Sequence, residues 1–399
     1  MSDGVFSGAR LDRMRGVMAG HVERGHAPGI VTLVSRRGET RVDAVGSKAV
    51  GGGDPMRRDT IFRIASMTKP IAAVAAMILV EECRLRLDDP VDPLLPELAD
   101  REVLRRPEGS LDDTVPANRP ITLRDLLTLR LGIGAVLAPP GSHPIQEAME
   151  EAELAPGADS PSLPPDEWMR RLGGLPLIHH PGERWMYETG SDVLGVLISR
   201  ATGGPLESFL RERIFEPLGM DDTGFHVPDA KLDRLASLYG ASPETGALEL
   251  HDGAEDSKWS PPPPAFESGG GGLLSTVDDY LAFCRMMLNG GKHGGERILS
   301  RPSVELMTAD HLTPGQRQGA EMLLGENCGW GFGMSVVTGR EDLAATPGRF
   351  GWDGGYGTSG YSDPGEDMVG ILMTQRLAGP DSPRIDLDFW TLAYAAIDD

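Results

Sequence analysis

The sequence predicts an α/β (α+β) protein: an antiparallel sheet flanked by helices, with a mostly helical domain inserted into it. Three observations lead there. Strand patterns are confined to the two ends of the chain, at residues 29–46 and from about residue 328 onward. The middle carries helix patterns separated by stretches rich in Pro, Gly and Ser. No internal repeat occurs, and 399 residues exceed what one small core holds. Residues 1–85 and 265–399 are therefore expected to build the α/β domain from both termini, and residues 86–264 the helical domain.

Taken in order, "LDRMRGVMAGHVERG" has helical periodicity and ends at glycine. "GIVTLVSRRGETRVDAVG" reads as two strands joined by a turn at Arg37-Gly38. "TKPIAAVAAMILVEE" is apolar on every face, which suits a buried helix starting near Ser66. "ITLRDLLTLRLGIG" reads as a further helix stopped by glycine. Residues 136–166 and 251–272 read as long irregular loops of the kind that wall or cover a site. "TVDDYLAFCRMMLNGG" predicts a helix closed by glycine, "CGWGFGMSVVTG" a strand, "DMVGILMTQR" an apolar strand and "RIDLDFWTLAYAAIDD" the closing helix.

Composition narrows the function. The net charge of −22 repels phosphate backbones and anionic lipid surfaces, so neither nucleic acid nor a membrane is an expected partner. Cys83, Cys284 and Cys328 are odd in number and lie far apart. They read as buried free thiols in a reducing compartment. The first residues show no apolar core or cleavage pattern, and the longest apolar run, Ile71–Val80, is about half a membrane span. A cytoplasmic protein with a small-molecule substrate is expected.

The chemistry starts at "SMTK", residues 66–69. The chain has five lysines among 38 basic residues, and one of them sits three positions after Ser66. Lysine can lose its proton in a protein; arginine cannot. If the helix begins at Ser66, the two side chains lie one turn apart on one face. The helix N-terminus favours negative charge growing on the serine oxygen. An S-x-x-K spacing alone arises readily by chance. A second piece is "PGERWMYETGSDVLGVLISR", where a Pro-Gly turn precedes Tyr187 and a helix runs from about Ser191. A third is "GRFGWDGGYGTSGYSDPGEDMVGILM", whose glycines allow a strand edge to approach a ligand and offer a backbone N–H to an oxyanion.

Together these segments resemble the serine β-lactamase superfamily: class C β-lactamases, D-aminopeptidases and, most nearly, family VIII carboxylesterases. "SMTK" matches its S-x-x-K, "PGERWMYETGSDVLG" its P-G-x-x-x-x-Y-x-x segment, and "WDG" at 352–354 the W-x-G form of its third motif. "RDLLTLRLGIG", "GGGGLLSTVDDYLAFCRMMLNGG" and "RILSRPSVELM" resemble further parts, so the likeness covers about residues 10–395. It implies a β-lactamase/DD-peptidase-like fold. It implies Ser66 as nucleophile, with Lys69 and Tyr187 sharing its activation. The N–H groups of Ser66 and Gly355 would form an oxyanion hole, and Trp352 and Gly354 would line the pocket. Which of Lys69 and Tyr187 takes the serine proton stays open.

The departures set the substrate. Glu188-Thr189 follow Tyr187, so the asparagine of Y-x-N is absent. The third motif lacks the lysine of K-T-G, the cation that would grip a β-lactam carboxylate. Both favour neutral esters, through an acyl-enzyme on Ser66. A β-lactamase, a D-amino-acid peptidase or amidase and an acyltransferase are the rival enzymes, and a non-catalytic binding protein is the rival of another kind. Asp192 is expected to cap the helix after Tyr187. The chain has no G-x-S-x-G and no H-E-x-x-H, and His179-His180 lacks ligand spacing. No metal or cofactor is expected.

Overall fold

The chain's first helix, α1 (Gly8–Glu23), leads into a β-hairpin formed by β1 (Gly29–Arg36) and β2 (Glu39–Gly46). Arg37 and Gly38 turn it with φ of 46° and 84°, the pair of left-handed residues that a two-residue hairpin turn of matching twist requires. These and the following elements come from a computed structural model that describes residues 5–242, 244–379 and 382–399.

Helix α2 (Thr68–Glu81) carries the S-x-x-K lysine, and α3 (Thr189–Thr202) follows Tyr187. Helix α4 (Val277–Leu288) starts at Thr276, whose side chain accepts from the Asp279 N–H. Five strands follow: β3 (Cys328–Trp330), β4 (Ser335–Val337), β5 (Phe350–Gly354), β6 (Thr358–Asp363) and β7 (Met368–Met373). Helix α5 (Ile385–Ala395) closes the chain. The seven strands form one sheet in the order β3-β4-β5-β6-β7-β1-β2, with every pairing antiparallel. The first hairpin docks on the last strand, with Val31 opposite Met373 and Arg36 opposite Met368. The sheet is thus assembled from both ends of the chain, as the strand patterns predict.

The period-two alternation of β1 explains the layers. Ile30 and Val34 face α1 and α5, packing with Leu11, Met14, Met18, Phe389 and Trp390. Val31 and Leu33 face the other way, into the large core with Ile71, Val74 and Leu79 of α2 and Phe283 and Met287 of α4. All eight residues of β1 are buried, so both of its faces are covered.

Four expectations change in detail. The stretch from Cys328 holds two strands, β3 and β4, because the chain reverses at Gly331–Gly333. Gly333 has φ of 73°, and a side chain on it would lie 2.7 Å from the Lys69 carbonyl, so glycine lets this hairpin pack against α2. The helix after Ile121 is one short turn, Leu123–Leu127, with a Thr122/Asp125 capping box. It stops because Leu129 takes φ of 52°; the Leu129 and Arg130 carbonyls then accept from Met186 and Gly182 at 2.8 Å each. Within 136–166, residues Pro144–Glu151 are helical. Cys83 is exposed and Cys328 half-buried; only Cys284 is the buried thiol expected of all three.

Candidate active site

Ser66 sits in one 3₁₀ turn, Ala65–Met67, that continues directly into α2. Ala65 takes φ of 45°, a left-handed conformation costing a non-glycine residue about 1–3 kcal/mol. Neighbouring contacts over-determine it. Thr358 donates to the Ile64 carbonyl at 3.2 Å, and Tyr280 donates to the Met67 carbonyl at 3.2 Å. Gly354 packs so tightly on the Ile64 carbonyl that no side chain fits there. The turn places the Ser66 oxygen within hydrogen-bond reach of Lys69.

Lys69 follows one turn later, fully buried. Its Nζ donates to Ser66 Oγ at 2.9 Å, to Glu188 Oε1 at 2.8 Å and to the Gly270 carbonyl at 2.7 Å. An ammonium has three N–H donors, and all three are matched. Nζ also lies 4.4 Å from the centroid of the Tyr187 ring. Burial pushes the Lys69 pKa down, but the Glu188 carboxylate and Tyr187 outweigh it, and the net shift is upward.

Tyr187 precedes α3, held by the Met186 N–H bonded to Leu129. Its oxygen accepts from Trp352 Nε1 at 2.6 Å. Burial raises its pKa, the nearby Lys69 charge opposes this, and the net shift is upward. Trp185 stacks on the Tyr187 ring at 5.6 Å, and Trp330 meets the Trp352 ring edge-to-face at 4.8 Å. Trp352 therefore bonds the Tyr187 oxygen directly and is itself buried in an aromatic cluster.

Two acidic residues complete the arrangement. Glu188, read in the sequence only as a departure from Y-x-N, turns its carboxylate onto Lys69. The one available sequence signal was a carboxylate placed directly beside the tyrosine. Asp192 does not cap its helix as expected. It is the fourth residue of α3, past the positions whose N–H groups need a cap. Its Oδ1 instead accepts from Ser268 Oγ at 2.6 Å and the Gly270 N–H at 3.0 Å. Asp192 thus anchors the residue whose carbonyl receives Lys69. Burial, then the Glu188 charge, pushes its pKa up to about 6.

Gly354 ends β5 beside the Ser66 turn, and Gly355 follows it in the turn to β6. Among the described residues, the Gly355 N–H donates to no backbone carbonyl. The segment after Glu153 covers this edge: Ala158 lies 3.3 Å from where a Gly355 side chain would start. Tyr356 donates to the Ala158 carbonyl at 2.8 Å and to Asp159 at 3.0 Å. Asp159 also meets His251 at 3.3 Å and Lys258 at 3.5 Å, so the two long loops are joined next to the site. Beneath them lies a cavity of about 310 Å³ lined by Leu154, Pro156, Ala158, Trp168, Glu188 and Asp192. A wider groove of about 1200 Å³ lies elsewhere, against the α1–β1 connection, and holds none of these groups. His180 accepts the Asn118 N–H at 3.2 Å.

Sequence and structure comparisons extend over the same residues. The Beta-lactamase family model matches residues 14–395. Protein Rv1367c of Mycobacterium tuberculosis is 39% identical over 365 residues, 88% of this chain and 87% of that protein. Esterase EstB of Burkholderia gladioli is 33% identical over 377 residues, 88% of each chain. The solved structure of EstCE1, a hydrolase with promiscuous acyltransferase activity, aligns with a TM-score of 0.79 at 27% identity, covering 97% of this chain and 98% of that one. With the family match running almost from end to end and through Ser66, Lys69, Tyr187 and Trp352, the chain belongs to the Beta-lactamase family.

Proposed function

We propose that this protein is a carboxylic ester hydrolase that works through an acyl-enzyme on Ser66. The observation that carries the reading is the contact of Lys69 Nζ with Ser66 Oγ at 2.9 Å, beside a Tyr187 oxygen held by Trp352 at 2.6 Å. Ser66 Oγ attacks the ester carbonyl while its proton passes to the Lys69/Tyr187 pair, which titrates as a unit. The oxyanion is received by the Ser66 and Gly355 N–H groups. The intermediate collapses, the alcohol leaves with the proton, and water repeats the sequence to release the acid. Residues 1–85 with 265–399 form one domain in this reading and 86–264 the other, and the reaction takes place between them.

Neutral esters are favoured over penicillins. Where a β-lactam carboxylate would look for a cation, the third motif offers the Trp352 indole, and Lys69 is already paired with Glu188. Transfer of the acyl group to an alcohol is the second reading, supported by the acyltransferase activity in the description of EstCE1. Three thiols without a disulfide favour the cytoplasm. Among the described residues no helix is long and apolar enough to cross a membrane.

The test is covalent. A fluorophosphonate should add mass at Ser66 in the wild type and not in Ser66→Ala. The variant should keep its melting temperature and hydrolyse p-nitrophenyl acetate at least ~10³-fold more slowly. Activity within tenfold of wild type would remove Ser66 from the reaction.

A further inference from the structure

We propose that Glu188 is a positioning residue whose carboxylate holds the Lys69 ammonium against Ser66 and sets the pH range over which the pair works. The inference rests on the reading of Ser66 as nucleophile and adds a fourth residue to it.

The Lys69 side chain is 0% exposed and that of Glu188 12%, with Nζ and Oε1 2.8 Å apart. A buried charge without a partner costs several kcal/mol, so each group requires the other. Of the three acceptors around Nζ, Ser66 Oγ and the Gly270 carbonyl carry no formal charge; Glu188 supplies it. Oε1 accepts from Nζ, so the pair stands as a carboxylate facing an ammonium. The ionisable groups facing Lys69 are Glu188 and Tyr187 from the segment before α3 and Asp192 from α3 itself. All three are acids, and Glu188 is the acid in contact with Nζ.

A negative charge here favours the protonated form of everything near it. It holds up the affinity of Lys69 for its third proton, and it opposes ionisation of Tyr187. Both boundaries of the working pH range are thereby moved to higher pH. Glu188 also fixes direction: with Gly270 it pulls Nζ from two sides, leaving the third N–H for Ser66. Asp192 supports this at one remove by holding the Gly270 N–H at 3.0 Å.

The experiment uses the scarcity of lysine. With five lysines in the chain, side-chain ¹³C-labelled lysine gives a resolvable spectrum, and Lys69→Arg assigns one signal. Lys69 is titrated in the wild type, Glu188→Gln and Glu188→Asp, and kcat/KM for p-nitrophenyl butyrate is measured against pH in the same proteins. In Glu188→Gln, the Lys69 titration and both limbs of the rate profile should move to lower pH by about one unit or more. Glu188→Asp keeps the charge, so its profile should stay near the wild-type position even if the rate falls. A Lys69 titration unchanged in Glu188→Gln, or displaced equally in both variants, overturns the proposal. A merely structural role would lower the rate or the melting temperature without moving the pH profile. The NMR result does not depend on turnover. If Ser66 takes no fluorophosphonate while Lys69 still responds to Glu188, the esterase reading falls and the role of Glu188 toward Lys69 stands.

Discussion

Trp352 Nε1 donates to the Tyr187 oxygen at 2.6 Å, across 165 residues of sequence. The indole occupies the position where the resemblance puts a lysine. It replaces a charge with a neutral donor and an apolar wall. Trp352→Phe keeps an aromatic face and removes the donor. Loss of one such bond is worth about 1 kcal/mol, so kcat should fall roughly five- to tenfold with little change in melting temperature. Steady-state kinetics with p-nitrophenyl butyrate checks this, and an unchanged kcat would leave the bond without a role in turnover. Trp352→Ala should also change the preference for acyl chain length, read from a panel of p-nitrophenyl esters.

Lys69 should tolerate neither arginine nor methionine. Methionine removes the charge. Arginine keeps it, but a planar fork cannot meet three converging acceptors at the centre of a fully buried site. Both variants should acylate at least ~10³-fold more slowly, about 4 kcal/mol of barrier. Pre-steady-state bursts with p-nitrophenyl acetate measure it, with folding verified by circular dichroism. An arginine variant retaining a tenth of wild-type acylation would show that charge alone suffices.

The substrate class is tested by direct competition of rates. kcat/KM for p-nitrophenyl butyrate should exceed that for benzylpenicillin by orders of magnitude. Nitrocefin, with its activated ring, should turn over slowly. A penicillin value above the ester value would reverse the assignment.

Asp192 makes a prediction about stability. Its carboxyl has a pKa of about 6 in the folded protein against an ordinary 3.8. Between those values the folded state holds a proton that the unfolded state has lost, so stability falls as pH rises through that window. The difference of about two units corresponds to about 3 kcal/mol. Asp192→Asn cannot ionise, so its stability should decline less between pH 4 and pH 7. Urea unfolding of both proteins across that range gives the comparison. Parallel curves would mean that Asp192 ionises in the fold as it does in water.

Local patterns were legible wherever one element contains both halves of the signal. Ser66 and Lys69 lie three residues apart at a helix start, and one turn of helix sets their distance. The Arg37-Gly38 turn joins strands that pair with each other. The helix expected after Ile121 and the strand expected from Cys328 fared less well, because distant contacts cut them short. The Leu129 and Arg130 carbonyls bond the segment before Tyr187, and Gly333 packs on α2.

By itself, the sequence determined the kinds of element, their order, the sheet's supply from both termini and the S-x-x-K pair, since periodicity and single-turn spacing are local properties. Tertiary structure alone decided that Glu188 faces Lys69, that Asp192 holds Gly270 instead of capping α3, and that Trp352 bonds Tyr187. Each of those partners lies 78 to 165 residues away along the chain. No periodicity reaches that far; what a buried charge or hydroxyl pairs with depends on which groups the folded core brings within 3 Å of it.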